Sequence, residues 1–409
     1  MIATARPSNT DVVSRIAQYN AGREPERLAV KYEAMSRDPF VFMRGTAHLF
    51  WEDWHARHGI PDDAPSVWAT GDLHLENVGS FRGDNRLVYF DLNDFDESAL
   101  APAPWEIARF VTSVHVAAES LGVGGREATT LARTFLEAYG SALTDGKARW
   151  VERAIATGMV RELLERVKGR TREALLDART SLRRGGRQLR VDGRKVLTLG
   201  RREAAAVVAA LEKHTRGEPE PRFYDALDVG RRVAGTASLG LLRYVVLVRG
   251  TGSPDGNWLL DLKEAHASPL ASFLPQPGCW RNEADRTIGI QRRMQAICPA
   301  LLHPLRIGDR WFVLRELQPT EDRLALEHWH GKLRRLRKVM ITIGHLVAWA
   351  QLRSASRDGA ATIDDLIAYG RRRNWQRDLL RAAKAYSAIV ERDWRRFKQE
   401  IPSLAGSLG

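Results

Sequence analysis

Two short apolar segments, each followed at once by acidic residues, constrain the fold of this chain more than any other feature. Residues 67–70 read as a buried strand that delivers Asp72, and residues 87–90 read as a second strand that delivers the acidic segment 91–97. Each acid alone could be a helix cap or part of a solvated turn. Together they would be several unneeded charges packed between apolar strands, where unpaired charge is costly. The pattern therefore predicts a metal site beside these strands.

The residue types in these segments suit a proton acceptor and a site for Mg²⁺. Asp72 is the candidate base, because a carboxylate within hydrogen-bond reach of a substrate hydroxyl can accept its proton. Asn77 offers an amide oxygen, which is a hard ligand suited to Mg²⁺. Among the later acids Asp94 fits best as the main metal ligand, while Asp91 and Asp96 remain alternatives.

A glycine-bounded loop far along the chain is a candidate phosphate cradle. Small residues let backbone N–H groups approach phosphate oxygens, and the candidate binding residues here are Gly235, Thr236, Ala237, Ser238 and Gly240. Lys263 ends the apolar run 258–262 and is the candidate cation for the phosphates. A plain hairpin turn and a solvated lysine are the ordinary explanations, and only the order of the two features favours a joint role.

The segment Gly-Asp-Leu-His at residues 71–74, followed by Asn77, closely resembles the catalytic loop of aminoglycoside phosphotransferases and choline kinases. The resemblance implies that Asp72 is the catalytic base, that His74 lies near the transferred phosphoryl group, and that Asn77 and Asp94 hold Mg²⁺ on ATP. It also implies an α+β, protein-kinase-like fold of two lobes. In such enzymes the glycine loop comes first, so we expect a circularly permuted version with additional helices.

The same resemblance implies roles in the second lobe. Residues 235–240 and Lys263 would hold the triphosphate of ATP, as the glycine loop and the third-strand lysine of a kinase do. The helix that follows would carry the partner of this lysine, and Glu283 and Gln291 are the candidates. Residues 312–317 would form the strand that runs into a hinge, where backbone groups near Glu316 would meet adenine.

A chain of 409 residues is too long for one compact core, so more than one lobe is expected. The expected segments are an N-terminal leader (1–35), a catalytic-loop and metal-site part of the helical lobe (36–145), a basic helical region (146–222), a small β-rich lobe with the glycine loop and lysine (223–320), and C-terminal helices that complete the helical lobe (321–409).

Residues 38–354 also resemble a large bacterial family known only as a domain of unknown function, DUF2252. The matching segments are 39–45, 71–79, 93–97, 235–240 and 263–265. Two residues depart from the family pattern. Gln351 stands where the family usually has His, and Glu106 replaces an Asp. The first departure touches neither the candidate base nor the candidate metal ligands.

Composition indicates the cellular compartment of the protein and does not exclude nucleic-acid binding. Two cysteines, Cys279 and Cys298, cannot form a disulfide framework, and the N-terminus lacks the apolar core of a signal peptide, so we expect a reducing cytoplasm. No apolar run is long enough for a membrane span. The net charge of +13 permits nucleic-acid binding. An arginine-rich solvated surface explains the charge equally simply and is preferred.

We therefore expect Mg²⁺-dependent transfer of the ATP γ-phosphoryl group to a hydroxyl of a small molecule. Two alternatives stay open. A metal-dependent phosphohydrolase could use the same carboxylates without Lys263 or the glycine loop. A non-catalytic nucleotide- or nucleic-acid-binding protein could use the basic residues between 147 and 202, and its affinity for nucleic acid would fall steeply with salt.

Overall fold

The computed structural model describes residues 11–61, 63–184, 186–235 and 238–406. Half of the residues are in helices and 17% are in strands, so the protein is a mixed α/β structure with several small sheets. None of the described helices is long and apolar enough to cross a membrane. The helices are α1 (Val12–Tyr19), α2 (Pro25–Arg37), α3 (Pro39–Gly45), α4 (Ala47–His58), α5 (Ala103–Val116), α6 (Gly125–Asp145), α7 (Gly158–Lys168), α8 (Arg172–Arg179), α9 (Arg201–Thr215), α10 (Glu283–Met294), α11 (Leu333–Ser354), α12 (Ile363–Arg371) and α13 (Asn374–Gly406).

The strands form one six-stranded sheet and smaller sheets. They are β1 (Ser66–Ala69), β2 (Val78–Arg82), β3 (Val88–Leu92), β4 (Ala99–Pro102), β5 (Thr180–Arg183), β6 (Gly186–Leu189), β7 (Val196–Leu197), β8 (Ala226–Arg232), β9 (Arg243–Val248), β10 (Trp258–Glu264), β11 (His303–Ile307), β12 (Arg310–Glu316) and β13 (Asp322–Arg323). The six-stranded sheet is antiparallel and has the order β11-β12-β10-β9-β8-β7. The smaller sheets are β13-β2-β3, β1-β4 and β5-β6.

The largest hydrophobic core surrounds α5. Twelve of the 14 residues of this helix are buried, and Glu106 and Arg109 are among them. Charged residues are rarely buried without a partner, so both must be neutralised within the fold. The helices α13 and α6 pack beside α5, and α11 packs closely on α6. A Cβ at Gly344 of α11 would lie only 2.7 Å from the carbonyl oxygen of Phe135 in α6. The close approach explains why a glycine occupies the middle of α11.

The expected leader contains two helices that join this core. The carboxylate of Asp11 accepts a hydrogen bond from the N–H of Val13 at 3.2 Å and so caps α1. Ile16 of α1 and Met35 of α2 are fully buried in the core. From Asp11 onward, the N-terminal segment is therefore part of the folded structure; residues 1–10 lie outside the described residues.

One face of the six-stranded sheet is apolar, and the opposite face carries both charged residues and a second apolar cluster. Val246, Leu260 and Leu314 belong to the apolar face, whose cluster includes residues of α9. Successive side chains of a strand point to opposite faces, so the alternate positions form the second face. This second face carries Arg243, Asp261, Lys263 and Arg315. The alternation thus gathers the charged residues of three strands on one side of the sheet.

A short connection joins this sheet to the sheet that contains β2 and β3. The chain leaves β12 at Glu316, and in β13 Asp322 lies opposite Ser80 of β2. Between them, the Gln318 side chain accepts from the N–H of Arg82 at 2.6 Å and donates to its carbonyl oxygen at 2.8 Å. Residues 317–321 therefore hold the two sheets in a defined relative position.

The expected basic helical region, residues 146–222, also contains strands. A hairpin forms from β5 and β6, and β7 pairs with β8 at the edge of the six-stranded sheet. Arg187, one of the basic residues between 147 and 202, has only 3% of its side chain exposed and binds Asp177 at 2.7 Å and Asp255 at 2.9 Å. This arginine stabilises the hairpin and does not belong to a free basic surface.

Candidate functional site

A cleft of about 340 Å³ lies between the charged part of the second face of the six-stranded sheet and the loop that follows β1, here called the Asp72 loop (residues 70–77). Residues predicted from the sequence line it from several parts of the chain. They are Asp72, His74, Asn77, Asp94, Asp96, Gly235, Ser238, Lys263 and Gln291. The structure therefore brings the two acidic segments, the glycine loop and the lysine to one place.

The start of the Asp72 loop is held by a glycine and a buried acid. Gly71 has a φ of +79°, and a Cβ there would overlap the carbonyl oxygen of Glu97. Other residues would be strained at this position. Thr70 donates to Glu106 Oε1 from its backbone N–H at 2.5 Å and from its hydroxyl at 2.7 Å. These contacts fix the direction in which Asp72 leaves β1.

Asp72 lines the cleft and binds a fully buried arginine. The Arg109 Nε donates to Asp72 Oδ1 at 2.6 Å, and Arg109 Nη2 forms an ion pair with the same oxygen. Burial raises the pKa of Asp72 to about 6, although the charge of Arg109 acts in the opposite direction. The carboxyl group therefore titrates close to neutrality, which suits a group that accepts and releases a proton.

His74 is a buried, uncharged imidazole beside Asp72. Its Nδ1 accepts the N–H of Glu76 at 3.1 Å, so we assign the ring proton to Nε2. That nitrogen lies 3.9 Å from Asp72 Oδ2. Burial, and then the charges of Arg44 and Arg109, hold the pKa of His74 well below its ordinary value. The ring can donate a hydrogen bond from Nε2 but carries no positive charge.

Asn77 ties the Asp72 loop to the second acidic segment. Its Nδ2 donates to the carbonyl oxygen of Asp72, and its Oδ1 accepts the backbone N–H of Asp94, both at 2.9 Å. The amide oxygen has a second lone pair that these contacts do not use. Asn77 therefore sets the distance between the candidate base and the candidate metal ligand, and it keeps one acceptor site for a cation.

Lys263 forms ion pairs with two of the predicted metal ligands. Its Nζ lies 3.7 Å from Asp94 Oδ1 and closer to Asp96 Oδ2. Burial favours the neutral amine, but Asp94 and Asp96 raise the pKa of Lys263 above its ordinary value. Burial raises the pKa of Asp96. Burial acts in the same direction on Asp94, but there Lys263 outweighs it and the pKa is lowered. Lys263 is consequently charged in the folded protein.

The loop between β8 and β9 borders the cleft. Gly235, with a φ of +80°, and Ser238 line it. The Ser238 hydroxyl donates to the carbonyl oxygen of Ala234 at 3.1 Å, which closes the loop on itself. Thr236 and Ala237, also predicted to bind phosphate, lie outside the described residues. The described part of the loop therefore brings a left-handed glycine and a hydroxyl to the cleft.

Two residues predicted at the nucleotide site do not line the cleft. Gly240 packs against Arg23, whose Cβ would lie 2.8 Å from a Cβ on this glycine. Arg23 Nη1 also donates to the carbonyl oxygen of Leu239 at 3.2 Å. Glu316 ends β12, and its carboxylate accepts from Gln318 Nε2 at 3.4 Å. Both residues are engaged by neighbouring parts of the chain and do not line the cleft.

Asp91 is separated from the other acids because it lies within β3, before the strand ends. Its Oδ2 accepts the N–H of Ala296 at 3.4 Å and lies 3.6 Å from Arg353 Nη2. Burial raises its pKa. The structure thus removes Asp91 from the candidate metal ligands and leaves the two acids that pair with Lys263.

The helix α10 forms one wall of the cleft, but the residues that were predicted on this helix as partners of Lys263 bind other residues. Gln291 lines the cleft, but its Nε2 donates to Gln295 Oε1 at 3.0 Å. The partners of Lys263 are the two acids described above. One turn before Gln291, the buried hydroxyl of Thr287 lines the same wall and has no hydrogen-bond partner among the described residues. A buried hydroxyl without a partner indicates that this wall can bind a polar ligand.

The sequence analysis missed a buried carboxylate bound by three arginines. Asp261 has no exposed surface; Arg243 binds it through two bonds of 2.8 and 2.5 Å, Arg232 at 2.6 Å and Arg315 at 3.3 Å. Burial would raise the pKa of Asp261, but Arg232 and Arg243 hold it well below its ordinary value. The three arginines line the cleft. An acid inside the apolar run 258–262 was the available signal, because such a charge needs partners.

Glu97 adds another acid to the cleft. Burial, and then the charges of Asp72 and Asp96, raise its pKa to about 8. Burial is the largest cause, so this carboxyl group holds its proton at neutral pH mainly because it is poorly solvated, and the neighbouring acids add to the effect.

The donors in the cleft fit a cation that is held partly by a ligand. No group of three or more His, Cys, Asp or Glu in the part of the chain that the structure describes is arranged to hold a metal ion by itself. Asp94 and Asn77 offer a carboxylate and an amide oxygen, connected through the Asp94 N–H. Mg²⁺ is commonly bound by one or two carboxylates together with substrate phosphates, and this donor set fits that mode.

The comparison with protein families confirms the expected family, and the match includes the whole candidate site. A family described as an uncharacterized protein conserved in bacteria (DUF2252) matches residues 23–400. The chain belongs to this family. No curated protein and no solved structure matches the chain. All the cleft residues named above lie inside the matched range.

In this DUF2252 chain, Gln351 supports the Asp72 loop from behind. Its Nε2 donates to Glu106 Oε2 at 3.1 Å, and its Oε1 accepts the hydroxyl of Tyr139 at 2.5 Å. Glu106 in turn binds Thr70 at the start of the loop. The residue that replaces the expected His is therefore buried behind the cleft, where it positions the acid that holds the loop.

Proposed function

We propose that this chain is a kinase-like phosphotransferase that moves the γ-phosphoryl group of ATP to a hydroxyl group of a small molecule and requires Mg²⁺. The observation that carries the proposal is the meeting of Asp72, Asp94 and Lys263 in one cleft, although they come from distant parts of the chain. Phosphoryl transfer depends mainly on positioning and on neutralising charge. The residue types in the cleft can do both.

In this mechanism Asp72 accepts the proton of the acceptor hydroxyl while the oxygen of that hydroxyl forms a bond to the γ-phosphorus. The bond from that phosphorus to the β–γ bridging oxygen breaks, and ADP leaves. Arg109 holds the carboxylate and favours its ionised form. Lys263 donates to phosphate oxygens. Asn77 and Asp94 would hold Mg²⁺, which when bound neutralises phosphate charge.

The position of the glycine loop supports a kinase-like fold with a permuted chain order. The loop joins the neighbouring strands β8 and β9, and Lys263 lies near the end of the next strand, β10. Residues 317–321 then lead from this sheet to β13, which pairs with the strand after the Asp72 loop. A glycine-loop lobe that follows Asp72 in sequence but lies beside it in space is what circular permutation of a two-lobed kinase would produce.

The ion pairs of Lys263 predict that ATP and Mg²⁺ bind cooperatively. A cation that takes Asp94 and Asp96 from Lys263 leaves a buried ammonium group without a partner, and phosphates that take Lys263 leave the acids unpaired. When both ligands bind, each released group has a new partner. Each ligand should therefore strengthen the binding of the other.

Thermal unfolding with ATP, Mg²⁺ or both tests the proposal, because a ligand that binds the folded state raises the melting temperature by mass action. We expect a larger rise with both than the two single rises added together. Asp72→Asn should keep this rise but lose phosphoryl transfer, whereas Asp94→Asn should lose the rise. Asp84→Asn is the control, since Asp84 is exposed and outside the cleft. No rise with MgATP, or transfer by Asp72→Asn, would contradict the proposal.

Lys263→Met separates this function from metal-dependent phosphohydrolysis. A hydrolase that uses only the carboxylates does not need the lysine, so its activity would survive this change. We expect Lys263→Met to lose MgATP-dependent stabilisation and transfer together, because Lys263 is the cation proposed to hold the phosphates. Phosphate release that is unchanged in this variant would favour the hydrolase instead.

A further inference from the structure

A second cavity, of about 250 Å³, lies beside the cleft and is mainly apolar. Its apolar lining includes Leu189 of β6, Val196 of β7, Val245 of β9 and Leu317 after β12. Arg179, Lys195 and Arg232 also contribute to the lining, so the cavity combines an apolar interior with cationic hydrogen-bond donors.

The second cavity and the cleft lie on one face of the sheet and share a wall. Lys263 is paired with Arg243, and Val245 is two residues further along the same strand. Residues two apart on a strand share a face, so the two spaces are neighbours along β9. Arg232 and Ala234 line both of them. A ligand held by Lys263 could therefore extend past Arg232 into the second cavity.

The space directly beside Lys263 on this face is filled. Asp261, two residues before Lys263 on β10, is bound there by three arginines. A ring cannot displace these charges without leaving them unpaired, which is costly in a buried site. The second cavity offers apolar space on the same face, outside this cluster of charges.

The size and chemistry of the cavity indicate a planar ring. Its volume of about 250 Å³ is below the roughly 300–1,000 Å³ of sites that hold a whole drug-sized ligand. Apolar walls suit the faces of a ring, the cationic donors suit its nitrogen and oxygen acceptors, and the flat guanidinium of Arg232 can stack on it.

We propose that the second cavity binds the heterocyclic base of the nucleoside triphosphate, and this proposal rests on the function proposed above. Arg232 lies between the base and the phosphates, which occupy the cleft with Lys263. Part of this subsite is built by Arg179 at the end of α8, Leu189 of β6 and Val196 of β7. The base therefore contacts residues outside the segments that the resemblance to kinases assigns to nucleotide binding.

Calorimetric titration of the full chain with MgATP and with Mg²⁺-tripolyphosphate tests the base subsite, since tripolyphosphate has the phosphates without the base. Val233→Trp and Leu189→Phe each add bulk at the lining of the cavity. Val233 is half-buried in a loop, so its change carries the smaller risk of misfolding. Leu182→Trp is the control, because Leu182 lies in the same hairpin region and is 61% exposed.

We expect Val233→Trp and Leu189→Phe to weaken MgATP binding by roughly tenfold or more, and to leave tripolyphosphate binding and the Leu182→Trp control unchanged. MgATP affinity that is unchanged in Val233→Trp would overturn the base subsite while leaving the phosphate site intact. Equal weakening of both ligands would also overturn it, because the change would then act on the phosphates. If the unmodified chain binds neither ligand, the proposed function itself fails.

Discussion

Replacing Arg109 by Met should turn Asp72 from a paired carboxylate into an isolated buried acid. Both side chains are buried, and Arg109 has no exposed surface. Removing one partner of a buried ion pair costs about 3–5 kcal/mol. The variant can reduce this cost by protonating Asp72, because the proton removes the charge that has lost its partner. We therefore expect a loss of about 3 kcal/mol or more at pH 8, and a smaller loss at pH 5.

The pH dependence follows from the pKa of Asp72. In the folded protein this pKa is about 6, against an ordinary value of 3.8. The shift stabilises the folded state by about 3 kcal/mol below pH 3.8, and this stabilisation is lost as the pH rises through 6. Without Arg109, whose charge opposes the shift, the pKa of Asp72 must lie higher still. The free energy of unfolding of the variant should then keep falling between pH 6 and 8, where the wild-type contribution levels off.

Urea unfolding between pH 5 and pH 8 measures the free energy of unfolding of four proteins: the wild type, Arg109→Met, Asp72→Asn and the double variant. The Asp72→Asn background has no carboxylate at this position. The pH-dependent part of the Arg109→Met cost should therefore disappear there. A cost that does not change with pH, or that is equally pH-dependent in both backgrounds, would refute the coupling of these two residues.

Three smaller experiments test other parts of the site, each by urea unfolding. Asp261→Asn should lower the free energy of unfolding by about 3–5 kcal/mol, because three arginines lose their common carboxylate; a loss below about 1 kcal/mol would contradict this. Gly71→Ala should cost at least about 1–3 kcal/mol for its backbone conformation alone, whereas Gly217→Ala, with open space around it, should change little. Gln351→Leu should cost about 1–3 kcal/mol, because a buried carboxyl and a buried phenol each lose a partner; no loss would show that these contacts are replaceable.

Local patterns in the sequence predicted the elements that carry the candidate residues. The strands expected at 67–70 and 87–90 are β1 (Ser66–Ala69) and β3 (Val88–Leu92), and the run before Lys263 is β10 (Trp258–Glu264). Each is a short apolar segment ended by polar or acidic residues, and such patterns act between near neighbours in the chain. The mixed α/β class was predictable for the same reason.

The same patterns could not show which way each acid faces. Asp91 and Asp94 are three residues apart, yet Asp91 lies within β3 beside Arg353, whereas Asp94 lies after the strand and pairs with Lys263. The last residue of a strand is the least certain feature of a sequence-based prediction. A shift of two residues at that end decided which acid reaches the cleft.

The sequence also could not show which residues form ion pairs, because the partners lie far apart along the chain. Arg109 of α5 binds Asp72, and Asp261 binds arginines of β8, β9 and β12. A buried charge in an apolar segment indicates that a partner exists, but many arginines in this chain could have supplied it.

By itself the sequence determined the family, the apolar strands and the kinds of chemical group that follow them, since these depend on residue type and on close neighbours along the chain. Only the tertiary structure decided that Asp72, Asp94 and Lys263 share a cleft, that Asp91 and Gly240 do not, and that a second cavity opens beside it. The reason is geometric. Contacts between distant segments depend on how helices and sheets pack, and packing is set by the whole chain at once.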